Sequence, residues 1–458
     1  MLDSIATDNT TAVLGLGRTG LSCVRYLRAR GERFAVFDSG VSDADAAHFA
    51  REYPDVPLFT GEFDGALLQS FRKLLVSPGI SLQHTAIRQA LDHGAQLVSD
   101  IDLLLTEIEA PIVAITGSNA KTTVTTLLGL MAEAAGRRVA VGGNIGTPVL
   151  DFVTDQTAAH EPYDLFVLEL SSFQLERCEV LSADVATVLN VSPDHLDRHG
   201  SLLAYQQAKQ QVYRGCRCAV FNRQDKLTWP LLASGQQSLS FGLDRPDLGQ
   251  YGLEQDGGCT WLVRGGERLL DVRQLNIRGR HNQLNALAAL ALGQCAGFAM
   301  APMLGVLQTF AGLPHRCQWL GESHGVHLFN DSKGTNVGAT LAAITGLSQG
   351  SGDIVLIAGG VGKGADFGEL AQARACLKGL VVLGEAAAEI AAVFDDSLPC
   401  QQVPDMPSAL AAALAMSSAG DSVLLSPACA SFDMYPNYEA RGDHFVALVG
   451  ALPGVGGT

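Results

Sequence analysis

The residues with the clearest capacity for chemistry lie in one short segment after an apolar, strand-like run. This segment, TGSNAKTT from Thr116, opens the helix-like stretch TVTTLLGLMAEAAG. A loop between a strand and a helix binds phosphates with its backbone N–H groups, while a lysine reaches the β- and γ-phosphates and a threonine hydroxyl ligates Mg²⁺. Lys121 and Thr122 fit those two roles. The predicted ATP-binding residues of the segment are Gly117, Ser118, Asn119, Ala120, Lys121, Thr122 and Thr123.

The loop departs from the general pattern G-x-x-x-x-G-K-[ST]. Ile115 and Ala120 occupy the glycine positions, which leaves a shorter form, G-x-x-x-K-T. A small residue at Ala120 permits close approach of a phosphate but lacks glycine's freedom to adopt positive φ. A structural turn is the alternative, and the strand and helix on either side favour the phosphate loop.

Two candidate metal ligands follow other apolar runs. Glu169 lies at the end of DLFVLEL, and His195 follows VATVLNV in the segment SPDHLDR. Open α/β sheets place their sites at the carboxyl ends of strands. A carboxylate suits Mg²⁺, whereas imidazole is a softer and less frequent ligand. Taken singly, His195 is a loop histidine, but beside Glu169 and the phosphate loop it indicates a magnesium site.

Lys209 lies in the helix-like segment YQQAKQQVY and by itself has the appearance of an ordinary solvated lysine. An unmodified lysine has a pKa of about 10.4, so it is cationic at neutral pH and would repel Mg²⁺. Carbamylation by CO₂ would make it an anion with two oxygens that can bind the metal. Both interpretations stay open at this level.

A second glycine-rich loop lies near the N-terminus. Gly15, Gly17 and Gly20 form G-x-G-x-x-G between a strand and a helix, and Asp38 ends the next strand. Such glycines let the backbone approach a diphosphate, and the acid can bind a ribose hydroxyl. The loop therefore predicts a nucleotide, either NAD, as in a dehydrogenase, or a UDP-sugar. A tight turn without a ligand is the alternative.

Three segments that begin with an apolar strand and continue into glycines position these residues. They start at Thr11 (TAVLGLGRTG), Pro111 (PIVAITGSNAKTT) and Asp353 (DIVLIAGGVGKGADF), with short strands later at 380–384 and 422–428. Strands alternating with helical stretches predict an α/β fold with parallel, doubly wound sheets. At roughly one domain per 150 residues, the 458 residues suggest three domains. The predicted domains are 1–99, 100–312 and 313–458.

The composition excludes several classes of protein. With 47% hydrophobic and 17% charged residues, the chain is typical of a globular protein rather than a disordered one. A net charge of −16 argues against a nucleic-acid surface, which requires a basic face. The sequence shows neither a signal peptide nor a membrane span, so we expect a cytoplasmic protein without a membrane partner. The ten cysteines lack zinc spacing and are expected to be reduced thiols.

The motifs together resemble the Mur ligase family. The resemblance rests on ITGSNAKTT, ELSSFQLE and NVSPDHLDRH with the downstream AAK, and it extends to the C-terminal RGDHF. Family members join an amino acid to a UDP-muramoyl peptide through an acyl phosphate. The segments DSKGTNVGAT and LLSPACASFDMYPNYEARG resemble the branch that adds D-glutamate, and the D-N-P-R segment of the diaminopimelate-adding branch is missing.

The resemblance implies a Rossmann-like first domain, a central P-loop-type ATPase domain and a Rossmann-like C-terminal domain. It implies that UDP-N-acetylmuramoyl-L-alanine is bound by Arg18, Thr19, Asp38, Ser39, Ser77, Gly79 and Asn144. It adds to the ATP site Asn282, Asn285, His315, Arg316 and Asp331. It assigns to D-glutamate Lys333, Thr335, Lys363, Ser426 and Phe432. It implies as Mg²⁺ ligands Thr122, Glu169, His195 and, if carbamylated, Lys209.

The implied reaction is phosphorylation of the muramoyl-alanine carboxylate by ATP, followed by attack of the D-glutamate amine. Lys121 and Mg²⁺ would offset the charge on the moving phosphoryl group, and either His195 or a metal-bound oxyanion would accept the amine proton. We expect a monomer. One departure is Val361, which stands where the family usually has an aspartate and leaves the pose of Lys363 open. The rival interpretations are an NAD-dependent dehydrogenase, a folylpolyglutamate synthase, whose substrate is a pterin, and a nucleotide-binding regulator without catalysis.

Overall fold

The computed structural model describes residues 10–277, 279–348, 353–394 and 398–454. It contains three β-sheets, one after another along the chain, with helices packed against them. The predicted α/β class is confirmed, and every strand expected from the apolar runs is present.

The first sheet is parallel throughout. Its strands are β1 (Thr11–Leu14), β2 (Phe34–Asp38), β3 (Leu58–Thr60), β4 (Lys73–Val76) and β5 (Gln96–Val98), and its helices are α1 (Arg18–Ala29), α2 (Asp43–Glu52), α3 (Gly65–Leu68), α4 (Thr85–Asp92) and α5 (Asp100–Glu107). The strand order is β3-β2-β1-β4-β5. Val13 enters one hydrophobic cluster, whereas Ala12 and Leu14 enter another, because successive side chains of a strand point to opposite faces. Strand β1 has β2 on one side and β4 on the other, so the strand order reverses at β1. Such a reversal leaves a crevice at the carboxyl end of the strand.

The second sheet has nine strands. They are β6 (Ile112–Thr116), β7 (Val139–Gly143), β8 (Leu165–Glu169), β9 (Val185–Val188), β10 (Cys218–Asn222), β11 (Gln237–Phe241), β12 (Tyr251–Asp256), β13 (Cys259–Arg264) and β14 (Glu267–Asp271). In the order β14-β13-β12-β11-β10-β9-β6-β8-β7, the pairs from β7 to β12 are parallel and the last two are antiparallel. This antiparallel extension was not predicted.

The helices of the second sheet bury an apolar core against it. They are α6 (Lys121–Ala134), α7 (Val149–Ala159), α8 (Ser172–Leu175), α9 (Leu196–His199), α10 (Leu202–Gln210), α11 (Arg280–Cys295) and α12 (Met300–Thr309), with 3₁₀ turns at Gln211–Tyr213, Lys226–Thr228 and Val272–Gln274. The alanine- and leucine-rich middle of α11 is fully buried beside α6. This packing holds the start of α6, which carries the phosphate loop.

The third sheet is parallel except for one edge strand. Its strands are β15 (Gln318–Ser323), β16 (Val326–Asn330), β17 (Ile354–Gly359), β18 (Leu377–Leu383), β19 (Cys400–Gln402) and β20 (Ser422–Leu425). The order is β15-β16-β20-β17-β18-β19, with β15 antiparallel to β16. Its helices are α13 (Val337–Leu347), α14 (Ala387–Phe394), α15 (Met406–Met416) and α16 (Tyr438–Gly450), with a 3₁₀ helix at Phe367–Cys376.

Two chemical expectations can be compared with the structure directly. Among the described helices, none combines the length and apolar character that a membrane span requires. Eight cysteines are free thiols, as expected, whereas Cys218 and Cys295 are paired between β10 and α11 with their Cα atoms 6.5 Å apart. The expectation of reduced thiols is therefore wrong for Cys218 and Cys295.

Candidate active site

The predicted phosphate loop lies between β6 and α6. Lys121 begins α6, and its Nζ donates to the carbonyl oxygens of Gly117 at 2.8 Å and Ser118 at 2.9 Å. Ala120 adopts a left-handed backbone with φ 66°. That conformation costs an L-residue about 1 kcal/mol. Ala120 thus takes the conformation for which glycine has more freedom, and the loop holds it there.

The strands β8 and β9 flank β6, so their carboxyl ends lie beside the phosphate loop, as predicted. After β9, Asn190 accepts a hydrogen bond from the Asn119 N–H at 2.7 Å, and the Ser118 hydroxyl donates to the Ser192 carbonyl at 3.0 Å. These bonds fix the loop to the segment that carries His195. Asn190 and Ser192 were not predicted, and their position directly after a strand was the available signal.

Glu169 ends β8 and is 1% exposed. Its Oε1 accepts a hydrogen bond from Asn144 Nδ2 at 2.9 Å, whereas Oε2 has no partner among the described residues. A buried carboxylate oxygen is costly unless a donor or a cation satisfies it. The position therefore fits a divalent cation.

The described ranges contain no group of three His, Cys, Asp or Glu side chains arranged to hold a metal ion. A magnesium site at Glu169 consequently needs other oxygen donors. The Thr122 hydroxyl and a carbamylated Lys209 are the donors that the sequence offered.

Lys209 is 2% exposed on α10, so its interpretation as a solvated helix lysine is wrong. Its Nζ donates to the Gly117 carbonyl at 2.8 Å and lies 4.4 Å from the centroid of the Tyr205 ring. Burial, and then the charge of Lys121, lowers the pKa of Lys209 well below its ordinary value. A neutral amine is the form that reacts with CO₂, and carbamylation stays a prediction.

His195 follows β9 in a left-handed conformation with φ 52°. Its ring centroid lies 5.0 Å from that of Phe173. Burial lowers the pKa of His195, with Asp194 opposing the shift and Lys363 adding to it. A neutral imidazole at pH 7 can accept a proton, which agrees with one of the two predicted acceptors.

Cations from the third sheet reach the phosphate loop. Arg316 Nη2 donates to the Thr122 hydroxyl at 2.5 Å. Burial, followed by the charges of Arg316 and Lys121, lowers the pKa of Lys333 to about 8. Burial also lowers the pKa of Arg316, and Glu169 opposes that shift. Residues from two parts of the chain thus form one electropositive centre around Glu169.

The residues assigned to D-glutamate include two cations, each beside an aromatic ring. Lys333 Nζ lies 3.8 Å from the centroid of the Tyr438 ring, and Lys363 Nζ lies 5.9 Å from that of Phe432. Phe432 is 68% exposed. Tyr438 was not predicted: the segment that contains it was recognised, but nothing singled it out from the neighbouring aromatics.

Ser426 and Asp331 contact each other in the interior. The Ser426 hydroxyl is fully buried and donates to Asp331 Oδ2 at 2.7 Å. Burial raises the pKa of Asp331 to about 7, and the Ser426 hydrogen bond opposes this. The Ser426 hydroxyl is therefore engaged with a residue assigned to ATP, while Thr335 is half-buried between Lys333 and α13.

The remaining residues assigned to ATP lie on α11 and just before β15. Asn285 Nδ2 donates to Asn282 Oδ1 at 3.1 Å, and both side chains are buried. His315 is buried, with its Nδ1 2.9 Å from Asn330 Nδ2. These contacts hold the Asn285 and His315 side chains in place.

A cavity of about 590 Å³ opens at the carboxyl end of β1. It is lined by all seven residues assigned to the UDP substrate: Arg18, Thr19, Asp38, Ser39, Ser77, Gly79 and Asn144. Both carboxylate oxygens of Asp38 accept backbone N–H groups, from Leu16 at 2.6 Å and Gly40 at 2.8 Å. The bond from Leu16 therefore connects Asp38 to the glycine loop and stabilises that loop. Gln174 also lines the cavity and was not predicted.

The glycine loop depends on one close approach. A Cβ at Gly20 would lie 1.7 Å from the Gly15 carbonyl oxygen, so α1 can pack here only with glycine. This explains the third glycine of the pattern by packing rather than by ligand contact.

Asn144 connects the cavity to Glu169, whose charge acts on Lys121 of the phosphate loop. It lines the cavity and also donates to Glu169, which ends the strand next to β6. Arg18, which also lines the cavity, donates to the carbonyl oxygen of Gly146, two residues beyond Asn144. A substrate in the cavity would therefore end beside the loop that binds phosphate.

Val361 stands where the resemblance led us to expect an aspartate. Its backbone exchanges two hydrogen bonds with Ala430, at 2.9 and 3.0 Å. The loop that carries Lys363 is thus anchored through its backbone without a carboxylate at this position.

Comparison with known proteins agrees with this geometry. A MurD-like N-terminal domain of Mur ligases matches residues 9–99, a Mur ligase middle domain matches 115–293, and a Mur ligase glutamate ligase domain matches 315–429. The chain belongs to the Mur ligase family. The Mur ligase resemblance inferred from the motifs is therefore confirmed.

Curated relatives cover nearly the whole of this Mur ligase. The chain is 50% identical to a UDP-N-acetylmuramoylalanine--D-glutamate ligase of Marinobacter nauticus, over 98% of this chain and 99% of that protein. It is 50% identical to the protein of that name in Pseudomonas aeruginosa, with the same coverage. It is 48% identical to the one in Legionella pneumophila, over 96% and 98%.

Solved structures show the same fold. MurF from Acinetobacter baumannii aligns with a TM-score of 0.60 at 17% identity, over 97% of this chain and 92% of that one. The UDP-N-acetylmuramate-alanine ligase of Thermotoga maritima aligns with a TM-score of 0.58 at 19% identity, over 96% and 98%. The three-part α/β architecture of this Mur ligase is thus that of other members.

Proposed function

We propose that this chain is an ATP-dependent ligase that adds D-glutamate to UDP-N-acetylmuramoyl-L-alanine in peptidoglycan precursor synthesis. The observation that carries the proposal is the contact of Asn144 with Glu169, because it connects the nucleotide-sized cavity to the carboxylate whose charge acts on Lys121 of the phosphate loop. The names of the relatives that are 48–50% identical support the choice of substrates.

The first step transfers the γ-phosphoryl group of ATP to the substrate carboxylate, which forms an acyl phosphate and ADP. Lys121 turns from the Gly117 carbonyl towards the β- and γ-phosphates, and Arg316 adds positive charge beside Thr122. Preorganised cations of this kind stabilise charge that spreads over a moving phosphoryl group. Mg²⁺, when held by Glu169, Thr122, His195 and a carbamylated Lys209, supplies further charge neutralisation at the phosphates.

In the second step the D-glutamate amine attacks the acyl carbon, the amine loses a proton, and phosphate leaves. Lys333 and Lys363 provide the cations that a dicarboxylate requires. His195, whose pKa is lowered by burial, is neutral and can take the proton. Exclusion of water matters here because water competes with the amine for the acyl phosphate.

The same proposal includes a division into three domains, 1–99, 100–312 and 313–458. The third domain closes over the reaction centre. The protein is a cytoplasmic monomer. The family models, which match 9–99, 115–293 and 315–429, support the division. Light scattering after size-exclusion chromatography tests the monomer.

A phosphate-release assay on the purified protein tests the function. ATP, Mg²⁺ and UDP-N-acetylmuramoyl-L-alanine are supplied with D-glutamate, with L-glutamate or with neither. We expect phosphate release and a new amide with D-glutamate. Absence of ATP cleavage with both substrates present would reject the proposal. Fluorescence titration with NADH tests the dehydrogenase alternative, which gives Lys121 and Glu169 no task.

A further inference from the structure

Asn336 caps the helix that faces the centre of the molecule. It precedes α13, is 8% exposed, and its Oδ1 accepts the Ala339 N–H at 2.8 Å. This bond satisfies one of the free donors at the helix start. On its own it is an ordinary N-cap.

The same side-chain amide also bonds to the central part of the chain. Asn336 Nδ2 donates to Asp194 Oδ2 at 3.1 Å and to Asn119 Oδ1 at 3.3 Å. In return, Asn119 Nδ2 donates to Asn336 Oδ1 at 3.5 Å. One side chain of the third sheet's domain therefore contacts two separate loops of the second.

Both partners lie at the reaction centre. Asn119 belongs to the phosphate loop, two residues before Lys121. Asp194 precedes His195 and accepts its backbone N–H at 2.9 Å. The amide of Asn336 thus bonds to the phosphate loop and to the His195 segment together.

Helix α13 approaches the central part closely at both ends. A Cβ at Gly338 would lie 2.8 Å from Ser192 Oγ, and a Cβ at Gly346 would lie 2.2 Å from His281 Nδ1. Two glycines therefore let the helix lie against the central part, and Asn336 supplies the polar contact at the end next to the site.

We propose that Asn336 is a positioning residue that aligns the amino-acid pocket with the ATP site. Lys333 and Thr335 precede it in the same short loop, so the bonds of Asn336 to Asn119 and Asp194 fix that loop relative to the phosphate loop. The inference rests on the proposed ligase function. When these bonds are lost, the acyl phosphate still forms, but the amine is poorly placed and water takes a larger share of it.

Asn336→Asp separates the two roles of the side chain. Aspartate keeps the acceptor for the Ala339 N–H, but it cannot donate to Asp194 or Asn119, and it adds a negative charge beside Asp194. Asp405→Ala is the matched control, because Asp405 caps α15, a helix of the same length in the same domain, through the Ser408 N–H at 2.9 Å. Asp405→Ala removes the hydrogen bond that caps α15, but it removes no hydrogen bond to the central part of the chain.

We expect Asn336→Asp to lower kcat/KM for glutamate by about 10- to 100-fold, because misplaced reactants lose rate by factors of this order. The ratio of phosphate released to amide formed should rise above that of the wild type. The KM for the UDP substrate should stay unchanged, and Asp405→Ala should match the wild type in all three measurements. An Asn336→Asp enzyme with the wild-type kcat/KM for glutamate and the wild-type ratio overturns the proposal, as does an equal change in Asp405→Ala.

Hydrogen exchange tests the contact without any turnover. Amides of the phosphate loop should exchange faster in Asn336→Asp than in the wild type and in Asp405→Ala. If the wild-type protein forms no amide product, the ligase function is rejected. If the hydrogen-exchange rates of the phosphate loop are the same in Asn336→Asp as in the wild type, the role of Asn336 is rejected.

Discussion

Lys121 and Lys209 donate to the same atom, the carbonyl oxygen of Gly117, each at 2.8 Å. Two ammonium groups on one oxygen repel each other, and burial lowers the pKa of both lysines. Lys121 belongs to the phosphate loop and is half-buried at the first position of α6, whereas Lys209 on α10 is only 2% exposed. A triphosphate can therefore attract Lys121 to its own oxygens, and Lys209 is the lysine placed to become neutral.

Lys121→Ala should lower kcat by about 10²- to 10³-fold, the loss typical of one preorganised charge. The affinity for the UDP substrate should stay unchanged, because the cavity that holds it is lined by other residues. Phosphate release measures the first quantity and calorimetric titration the second. Lys226→Ala, at an exposed position, is the control. A large loss of UDP-substrate affinity would show that the loop has been misassigned.

Lys209→Arg should inactivate the enzyme although it keeps a cation and donors in place, because arginine does not form a carbamate. In the wild type, removal of CO₂ and bicarbonate should lower the activity, and their return should restore it. Isotopically labelled CO₂ should give a carbamate signal in the carbon NMR spectrum of the wild type and none in the variant. An active Lys209→Arg enzyme, insensitive to CO₂, would contradict carbamylation.

The phosphate loop, the strands and the positions of Glu169 and His195 could be predicted because their signals are local. An apolar run followed by Gly117 and Lys121 specifies a strand, a turn and a helix within a few residues. Parallel strands then place their carboxyl ends on one edge of the sheet. The same argument located the cavity from Gly15, Gly17 and Asp38.

The burial of Lys209, the engagement of Ser426 and the ring of Tyr438 against Lys333 could not be predicted. Each depends on which distant element packs on the residue: Gly117 is 92 positions from Lys209, and Asp331 is 95 from Ser426. A sequence pattern indicates the type of one helix, strand or turn, and it does not indicate which distant element packs against it. Only the resemblance to a known family marked Lys209, and it gave no signal for Tyr438.

Glu169→Gln should lower activity by about 10²-fold or more, because the amide keeps the shape of the side chain but removes the charge that a divalent cation requires. The amide oxygen introduced at this position can still accept the bond from Asn144, so the cavity should keep its affinity for the UDP substrate. A magnesium titration of the reaction should show a raised requirement. Glu133→Gln, on the exposed face of α6, is the control, and equal magnesium curves for the two variants would exclude Glu169 as a ligand.

Gly346→Ala should destabilise the contact between α13 and the central part. Its Cβ would lie 2.2 Å from His281 Nδ1, an atom that is itself buried, so the half-buried ring must shift to admit the methyl group. Overpacking of this kind costs about 1–3 kcal/mol. Gly305→Ala, in the middle of α12 with no atom near its new Cβ, should instead be neutral or gain about 0.5–1 kcal/mol. Thermal unfolding compares the two, and equal shifts would rule out close packing at Gly346.

His281→Asn should change how stability depends on pH. Burial lowers the pKa of His281 to about 4, opposed by a hydrogen bond with the Ala342 backbone. Below pH about 6.5 the unfolded chain binds a proton that the folded chain takes up only near pH 4, so the wild type loses stability as pH falls through that window. The variant lacks this loss. As the pH falls from about 6.5 to about 4, its free energy of unfolding should therefore rise relative to that of the wild type by up to about 3 kcal/mol. Urea unfolding at several pH values measures the difference, with His93→Asn at an exposed position as the control. Parallel stability curves for His281→Asn and the wild type would mean that the pKa of His281 is the same in the folded and the unfolded chain.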